Sequence, residues 1–380
     1  MKFSINSFNF RDALKAACEV APSKGLLPEQ SCLYLRAQDD SLTICARDES
    51  TDIELVIPCA VQEYGEALAP SRMLLDYVSL ADGAVAVSVD SKQRMTIKSG
   101  KKSSTVACLD TDRFKPMVFA GEPVFTIDGA ALSACISRTS FACSTDETRA
   151  VLCGIHLTID PNGSAHFASC NGVEIAQCDM DKLDFKADWS EPRGITIPNA
   201  ALKLIQSQFG SYNRVTLSLE TYRAAFSAEG KRMAFPLISK EFPDITRVYP
   251  AAYQTDIRIL ARPFLEALKL VEIAASAAPS KDNRWNLIRL QTDGENGCLY
   301  LSADTETTEA RTAVDCDVHG EDMTIFFNVR YIKDLSTVCG KESDELSFSL
   351  SSPVGVARMR PLDCPAVMSA YVVPVRTSHN

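Results

Sequence analysis

A unit of two helices and several strands recurs three times along this chain, at intervals of about 125 residues. Each repeat opens with a strand that runs into an amphipathic helix: FSINSFNFRDALKAACEVA from Phe3, FTIDGAALSACISRTSFA from Phe125 and IRILARPFLEALKLVEIAA from Ile257. A second strand and helix follow in ALAPSRMLLDYVSL, ITIPNAALKLIQSQFG and IFFNVRYIKDLSTVCG. Repeated units of this kind bury their apolar faces against one another, so the pattern predicts a modular scaffold rather than one catalytic cleft.

Between the helices, apolar and polar residues alternate with the period of a half-buried strand. Leu42, Ile44 and Ala46 share one face in the first repeat, and turn residues such as Asp39-Asp40 and Pro161-Asn162-Gly163 link neighbouring strands. Each repeat closes on a hairpin pattern: GAVAVSVDSKQRMTIKSG, NRVTLSLETYRAAFSAEG and DELSFSLSSPVGVARM. Antiparallel sheets of this kind need helices on one face only, which predicts an α+β fold with helices packed on antiparallel sheets.

The length of the chain, 380 residues, is too great for one ordinary core. With 46% hydrophobic residues, each repeat can bury a core of its own. We therefore expect three domains, at residues 1–121, 122–250 and 251–380. The joints near 115–124 and 243–256 contain proline and are too short for flexible tethers, so we expect the domains to be rigidly adjacent.

The 14 cysteines form no C-x-x-C pair, and several lie where a strand or helix needs a small apolar residue, such as Cys18, Cys45, Cys135 and Cys170. We expect buried, reduced thiols, because free cysteine behaves as a small apolar residue. Four scattered histidines offer no ligand cluster, so no metal or other cofactor is expected. No apolar run reaches about 18 residues, and MKFSINSFNF lacks a secretion signal, which predicts a cytoplasmic protein without a membrane span.

The predicted helices carry cations on the faces opposite their apolar stripes. On the first helix, Arg11 and Lys15 are four residues apart and oppose the stripe of Phe10, Leu14 and Ala17. The other helices carry Arg72, Arg138, Lys203, Lys269, Arg330 and Lys333. Each cation alone fits an ordinary solvated surface, but all would share one side if the repeats are arranged alike. With a net charge of −10, a basic inner face in an acidic body suits a protein that surrounds a polyanion without gripping it.

A search for catalytic motifs finds no G-x-x-x-x-G-K-[ST], no G-x-S-x-G and no cysteine beside a histidine in a catalytic pattern. We therefore expect no enzyme activity. Two alternatives stay open: a hydrolase with a cysteine nucleophile, and a repeat scaffold that does not bind nucleic acid. Loss of function from a single cysteine substitution would favour the first, and failure to be retained on circular DNA would favour the second.

Motifs in a fixed order along the chain resemble the bacterial DNA polymerase III beta subunit, the sliding clamp family. They are MKFSI at the start, APSKGLLP at 21–28, RAVLCGIHL at 149–157, NGVEIA at 171–176, FPLISKEFPDITRVYP at 235–250, FNVRYIKDL at 327–335 and AYVVPVR at 370–376. The resemblance implies three clamp domains per chain and a ring of two chains joined head to tail. Twelve helices about 9–10 Å apart would leave an opening of about 25 Å, enough for a hydrated duplex. The resemblance also implies four kinds of partner: double-stranded DNA, the polymerase catalytic subunit, a clamp loader and other proteins with a clamp-binding motif.

The resemblance also implies a partner-peptide pocket. Its lining would be Leu152, Cys170, Gly172, Val173, Glu174, Ile175, Pro243, Arg247, Val248, Trp285, Tyr371, Val372, Val373, Pro374, Val375 and Arg376. Two positions depart from the family, since Glu174 stands where a basic residue is usual and Val173 where histidine is frequent. We expect Glu174 to make the rim less positive and to repel acidic peptides. An insertion near 355–361 leaves the alignment there open.

For DNA, the resemblance adds loop cations to those of the helices: Lys24, Arg149, Lys281 and Arg284. A closed ring needs edge strands that pair between chains, because closure removes exposed edges. The candidate in the first domain is SSTVACL at 103–109, with Ser103, Ser104, Val106 and Cys108 as interface residues. We expect its partner in the third domain near 273–278, where Ile273 is the candidate residue.

Overall fold

The computed structural model describes residues 1–180, 183–280, 284–364 and 367–377. The chain divides into two compact units. The first unit comprises Met1–Ser133, Asp184–Trp189 and Ala200–Leu237. The second unit comprises Ala134–Leu183, Ser190–Asn199 and Ile238–Asn380. The second sequence repeat therefore contributes to both units.

The strands and helices follow one another in the order that the repeats predict. In the first half of the chain they are β1 Lys2–Asn6, α1 Ser7–Val20, β2 Cys32–Gln38, β3 Ser41–Arg47, β4 Asp52–Pro58, β5 Ala60–Glu63, β6 Gly65–Pro70, α2 Ser71–Ser79, β7 Ala84–Val89, β8 Arg94–Ser99, β9 Lys102–Ala107, β10 Glu122–Ile127, α3 Gly129–Thr139, β11 Gly154–Ile159, β12 Ala165–Cys170 and β13 Glu174–Met180. The second half has β14 Asp184–Phe185, β15 Arg193–Pro198, α4 Asn199–Phe209, β16 Val215–Leu219, β17 Arg223–Ala228, β18 Lys231–Pro236, β19 Thr255–Leu260, α5 Ala261–Ala277, β20 Leu287–Asp293, β21 Cys298–Asp304, β22 Glu309–Gly320, β23 Thr324–Asn328, α6 Val329–Glu342, β24 Glu345–Leu350, β25 Ala357–Pro361 and β26 Val367–Val372.

Local sequence explains where the helices begin and which face they bury. The Asn6 side chain accepts a hydrogen bond from the Phe8 N–H at 2.9 Å and so caps α1. The stripe of Phe10, Leu14 and Ala17 is fully buried, as the sequence predicts. Each large apolar side chain removed from water in this way contributes about 1.5–3 kcal/mol.

The first unit contains two antiparallel sheets. A five-stranded sheet has the order β5-β1-β7-β8-β9, and a nine-stranded sheet has the order β14-β10-β16-β17-β18-β4-β3-β2-β6. The pairing of β18 with β4 joins strands of the first and second repeats. A side-chain hydrogen bond also connects the two repeats, since the Gln208 amide on α4 donates to the Glu19 carboxylate on α1 at 2.7 Å.

The second unit contains one twelve-stranded antiparallel sheet, β15-β11-β12-β13-β26-β25-β24-β19-β22-β21-β20-β23. Its core includes Phe264 and Leu268 of α5, Ile332 and Leu335 of α6, and Phe348 of β24. The pairing of β13 with β26 joins strands of the second and third repeats. The predicted α+β class, with helices on antiparallel sheets, is confirmed.

Turns and cysteines also agree with the sequence. Asp39 and Asp40 both take positive φ, the conformation that a tight two-residue hairpin turn requires. All 14 cysteines are free thiols. Cys18, Cys45, Cys135 and Cys170 are buried as expected, whereas six others are half-buried: Cys59, Cys108, Cys153, Cys298, Cys316 and Cys364. In the described part of the chain, no helix has both the length and the apolar character needed to cross a bilayer.

Candidate functional site

An apolar cluster forms on one face of the second unit's sheet, where three neighbouring strands place side chains side by side. Its buried members are Leu152, Cys170, Ile175 and Tyr371. Cys170 on β12 is opposite Ile175 on β13, and Ile175 is opposite Tyr371 on β26. Residues directly opposite on neighbouring strands have their side chains on the same face, so the register of the sheet assembles the cluster. Its partly buried margin is formed by Val151, Phe242, Ile245, Tyr249 and Val356.

Two tyrosines make the aromatic wall of the apolar cluster. The rings of Tyr249 and Tyr371 are stacked, with centroids 4.5 Å apart and planes inclined by 16°. Burial raises the pKa of Tyr249. Its hydroxyl is buried and has no hydrogen-bond partner among the described residues, so this wall is mainly a hydrophobic contact surface.

One rim of the apolar cluster is a tight turn held by Asn171, whose side-chain oxygen accepts from the N–H groups of Val173 and Glu174, both at 2.9 Å. Gly172 has φ 96°, and a Cβ added there would lie 2.9 Å from the Arg149 guanidinium. Arg149 donates to the Asn171 carbonyl at 3.0 Å and pairs with Asp146 at 3.1 Å. The structure thus places Arg149, which was predicted to lie in a DNA-facing loop, at the rim of the apolar cluster.

The other predicted pocket residues divide by exposure. Val248 is 46% exposed and Val373 is 41% exposed, so both offer apolar surface beside the cluster. The Val373 N–H donates to the Val173 carbonyl at 3.0 Å and holds the two rim segments together. Pro243, Arg247 and Arg376 are exposed, Val173 and Val375 are half-buried, and Pro374 is buried. Val372 belongs instead to the main core of the second unit, and Trp285, 57% exposed, is not a member of the apolar cluster.

Glu174 does not lie on the rim, and the prediction that it repels acidic peptides there is wrong. Glu174 is 2% exposed. Side chains alternate along a strand, so Ile175 faces the apolar cluster and Glu174 lies on the opposite face of the sheet. One carboxylate oxygen accepts from the Asn171 amide at 2.6 Å, and the other has no partner among the described residues. Burial, and to a lesser extent the charge of Asp334, raises the pKa of Glu174 to about 7.

Replacing Glu174 with glutamine should therefore stabilise the protein much more at pH 8 than at pH 5. The folded-state pKa lies above the unfolded value of about 4.3, so the stability that this group contributes is complete below that value and is lost as pH rises through about 7. Glutamine keeps the acceptor for Asn171 and carries no charge, so we expect a gain of about 2 kcal/mol at pH 8. Urea unfolding at the two pH values tests this, and an equal effect at both would contradict it.

The helix-face cations differ from one another in the structure. Lys15, Arg72, Lys203, Lys269 and Arg330 are exposed, and Arg11 is half-buried. The prediction that Arg138 and Lys333 face the solvent as free cations is wrong. Arg138 pairs with Glu342 at 2.6 Å with only 16% of its side chain exposed, and Lys333 pairs with Glu272 at 2.6 Å. Of the loop cations, Lys24 and Arg284 are exposed, while Lys281 lies outside the described residues.

The strand predicted to pair between chains, β9, does lie at the edge of its sheet. Two hydrogen-bonded positions fix the register of β9 on β8. Lys102 is opposite Ser99 across the two-residue turn, and the Cys108 N–H donates to the Gln93 carbonyl at 2.8 Å. Bonding alternates along an antiparallel pair, so the peptide groups of Ser103 and Thr105 point away from β8. Val106, by contrast, is 3% exposed within its own unit, so a charge there would damage the fold and could not report on the interface alone. Ser103 is exposed, and Ser104 and Cys108 are half-buried.

The expectation of a complementary edge strand at 273–278 is wrong, because Ala261–Ala277 forms α5. Ile273 is 73% exposed on that helix. The available edge is on β22, which the sequence reading missed: residues 309–315 pair with β21, and only residues 316–320 pair with β19. A groove of about 420 Å³ lies between this free stretch and α5. The alternation of Thr312, Val314, Cys316 and Val318 with polar residues was the signal that could have found β22.

No group of three histidine, cysteine, aspartate or glutamate side chains is arranged to hold a metal ion within the described ranges. Cys170, the thiol within the apolar cluster, has its pKa raised by burial, which disfavours a nucleophilic thiolate. The site offers apolar surface with hydrogen-bonding edges.

Comparison with known proteins places matches along almost the whole chain. Models of the DNA polymerase III beta subunit match in order: the N-terminal domain at residues 1–118, the central domain at 126–244 and the C-terminal domain at 246–372. Two curated relatives are named "Beta sliding clamp". The one from Synechococcus elongatus is 24% identical over 99% of both chains, and the one from Streptomyces coelicolor is 24% identical over 100% of both.

Solved structures show the same fold. The DNA polymerase sliding clamp from Bacillus subtilis has a TM-score of 0.89 at 21% identity, covering 99% of each chain. The beta subunit from the DNA polymerase of Streptococcus pyogenes has a TM-score of 0.91 at 19% identity, covering 99% of this chain and all of that one.

Proposed function

The chain belongs to the DNA polymerase III beta subunit family, and from this we propose that it is the sliding clamp of a DNA polymerase III. The observation that carries the proposal is the succession of three domain matches, which leaves little of the chain unaccounted for. The clamp encloses duplex DNA as a ring and tethers the polymerase catalytic subunit for processive synthesis. It is not itself catalytic, and it acts in the cytoplasm, where its DNA is. Neither alternative, a cysteine hydrolase or a scaffold without DNA, has support.

The three clamp domains correspond to residues 1–121, 122–250 and 251–380. This division follows the sequence repeats. The two compact units of the structure divide the chain differently, because each contains part of the second repeat. The strand pairs β18–β4 and β13–β26 support continuous sheets across the domain joints. Such joints resist bending, as a chain that forms half of a closed ring requires.

The ring closes head to tail, with β9 of one copy adding to β22 of a second copy. β9 offers outward peptide groups at Ser103 and Thr105, and residues 309–315 of β22 offer a free edge. On α5, Leu270 is 47% exposed and Ile273 is 73% exposed, so the second copy would cover apolar surface beside the new strand pair. Exposed Lys98 and Lys101 near β9 and Asp315 and Asp317 on β22 have the opposite charges that such a joint needs. A two-fold repetition of this head-to-tail contact closes a ring.

DNA contacts come from the exposed helix and loop cations: Lys15, Lys24, Arg72, Lys203, Lys269, Arg284 and Arg330. The number available is smaller than the sequence indicates, because Arg138 and Lys333 are neutralised by carboxylates and Arg149 lies at the pocket. Each contact with phosphate is independent of sequence and individually weak, and the net charge of −10 limits adhesion elsewhere. Such a surface permits sliding.

Partners dock at the apolar cluster and its exposed rim, Val248 and Val373. A short peptide with an apolar pair would lay its side chains against the stacked wall of Tyr249 and Tyr371. The polymerase catalytic subunit, a clamp loader and other proteins with a clamp-binding motif would share this pocket. Arg149 and Arg247 lie at its margin, each paired with a carboxylate of the preceding turn.

Reversing two exposed cations should lower the salt sensitivity of the clamp on DNA. We expect Lys24→Glu with Lys203→Glu to reduce the slope of log retention against log salt by about 2, since each lost phosphate contact removes about one unit. The measurement is the loss of the loaded clamp from linear DNA with free ends over a salt series, because a closed ring leaves a DNA circle only by opening. Lys2→Glu with Lys92→Glu is the control, because it makes the same charge change at two exposed positions, on β1 and in the turn between β7 and β8, that belong neither to the proposed DNA face nor to the proposed ring joint. An equal effect of both pairs would contradict the assignment of the DNA face.

A further inference from the structure

Two thiols from different elements of the second unit lie in contact with each other. Cys135 is on α3 and Cys178 is on β13, and their Sγ atoms are 3.4 Å apart. Both residues are almost completely buried, at 1% and 0% exposure. A disulfide needs about 2.05 Å between its sulfurs, so the two atoms must come closer by a little over 1 Å to form a bond.

A cation is held beside this pair. The Arg138 guanidinium lies 3.9 Å from the Cys178 sulfur, and it donates to a Glu342 carboxylate oxygen at 2.6 Å. Hydrogen bonding from Cys135 and the neighbouring Arg138 lower the pKa of Cys178 although its burial acts in the opposite direction. Thiolate is the reactive form of cysteine, so the environment favours reaction at Cys178.

Simple apolar packing does not account for this arrangement. Two cysteines can fill a core as small apolar residues, but then no cation is needed nearby. Here the Arg138 Nε is buried without a partner among the described residues, which costs free energy. A cation held against two adjacent sulfurs is an electropositive setting that favours thiolate, and because both sulfurs are buried, peroxide reaches them when this part of the unit opens locally.

We propose that Cys135 and Cys178 are a reversible redox modification site, in which hydrogen peroxide converts the two thiols into a disulfide that links α3 to β13. The Cys178 thiolate attacks one peroxide oxygen, the O–O bond breaks, and the hydroxide released takes up a proton to become water. Cys178 is then a sulfenic acid. The Cys135 sulfur attacks the Cys178 sulfur, the S–O bond breaks, and a second water leaves with the Cys135 proton. The net change oxidises two thiols to one disulfide and reduces one peroxide to two water molecules.

The link would join residues far apart in sequence within one unit. Cross-linking a long loop restricts the unfolded chain, so the oxidised protein should unfold at a higher temperature than the reduced protein. A shift of roughly 5 °C is expected, and dithiothreitol should reverse it. The link would not require movement of the apolar cluster, so partner binding is expected to persist.

The test treats the full chain with hydrogen peroxide, blocks remaining thiols and maps peptides by mass spectrometry. We expect one linked peptide containing Cys135 and Cys178, with the mass of two hydrogens lost and restored by dithiothreitol. Cys135→Ser and Cys178→Ser should each abolish the link and the rise in unfolding temperature. Cys18→Ser is the matched control, since Cys18 is also buried but donates to the Ser71 carbonyl, and it should retain both.

A second variant tests the role of the cation. Arg138→Gln combined with Glu342→Gln removes both charges together and leaves neither unpaired. It should slow disulfide formation about tenfold with the reduced protein still folded. The proposal is overturned if peroxide leaves both cysteines reduced, or converts them separately to sulfinic acids without a link. It is also overturned if the Cys18→Ser control loses the linked peptide as the two site variants do.

Discussion

Replacing Thr105 with proline should convert the proposed two-chain ring into monomers. The peptide N–H of Thr105 points away from β8, toward the edge where a strand of a second copy would add. Proline removes that donor and places a ring in the path of the incoming strand, at a cost of about 2–3 kcal/mol per joint. A head-to-tail ring of two chains has two equivalent joints, so the dissociation constant should rise by about 10³–10⁴-fold.

The fold should survive this change, because proline is tolerated on an edge strand and Thr105 is exposed in the single chain. Light scattering at micromolar concentration should give a mass near 41.5 kDa for the variant and twice that for the parent. Thr105→Val is the matched control, since it changes the side chain but keeps the N–H, and it should remain a dimer. A dimeric Thr105→Pro protein with normal circular dichroism would place the joint elsewhere.

The elements of the fold were predictable from sequence wherever the signal is local. The 3.6-residue stripe of Phe10, Leu14 and Ala17 and the two-residue alternation of β3 each depend on neighbours along the chain. β22 was missed although its alternation is present, because its apolar positions are small or polar, such as Thr312 and Cys316. With β22 missed, the complementary strand was placed at 273–278, where the structure has the end of α5. Ile273 is exposed there beside the proposed joint, but it belongs to a helix.

Site residues were less predictable because their roles depend on partners far away in sequence. Arg138 has the helical position of a solvent-facing cation, and only the fold brings Glu342 against it. Glu174 follows a rim glycine in sequence, and only the strand register shows that its side chain lies on the face opposite Ile175. The apolar cluster was recovered in part, since Leu152, Cys170, Ile175 and Tyr371 were all expected at the pocket. Its aromatic wall was not, because Tyr249 reaches Tyr371 only in three dimensions.

Placing a carboxylate at each exposed apolar rim position should nearly abolish peptide binding. Val248 and Val373 are 46% and 41% exposed, and a bound apolar pair would cover both. An aspartate there must be desolvated against apolar atoms without a partner, at a cost of about 2 kcal/mol each. We therefore expect Val248→Asp and Val373→Asp to weaken binding about 30-fold singly and up to about 1,000-fold together.

Calorimetry with a short peptide that carries one apolar pair measures this loss directly. Val367→Asp is the matched control, because Val367 lies on β26 like Tyr371, is 59% exposed and is opposite Asp179, away from the apolar cluster. Removing residues 373–380 should also eliminate binding, and it is a cleaner truncation than one from Tyr371, since β26 and its core residue Val372 stay intact. If the double aspartate variant binds as tightly as Val367→Asp while its light-scattering mass is unchanged, the peptide does not bind at this surface. The partner site would then lie elsewhere on a ring that still forms.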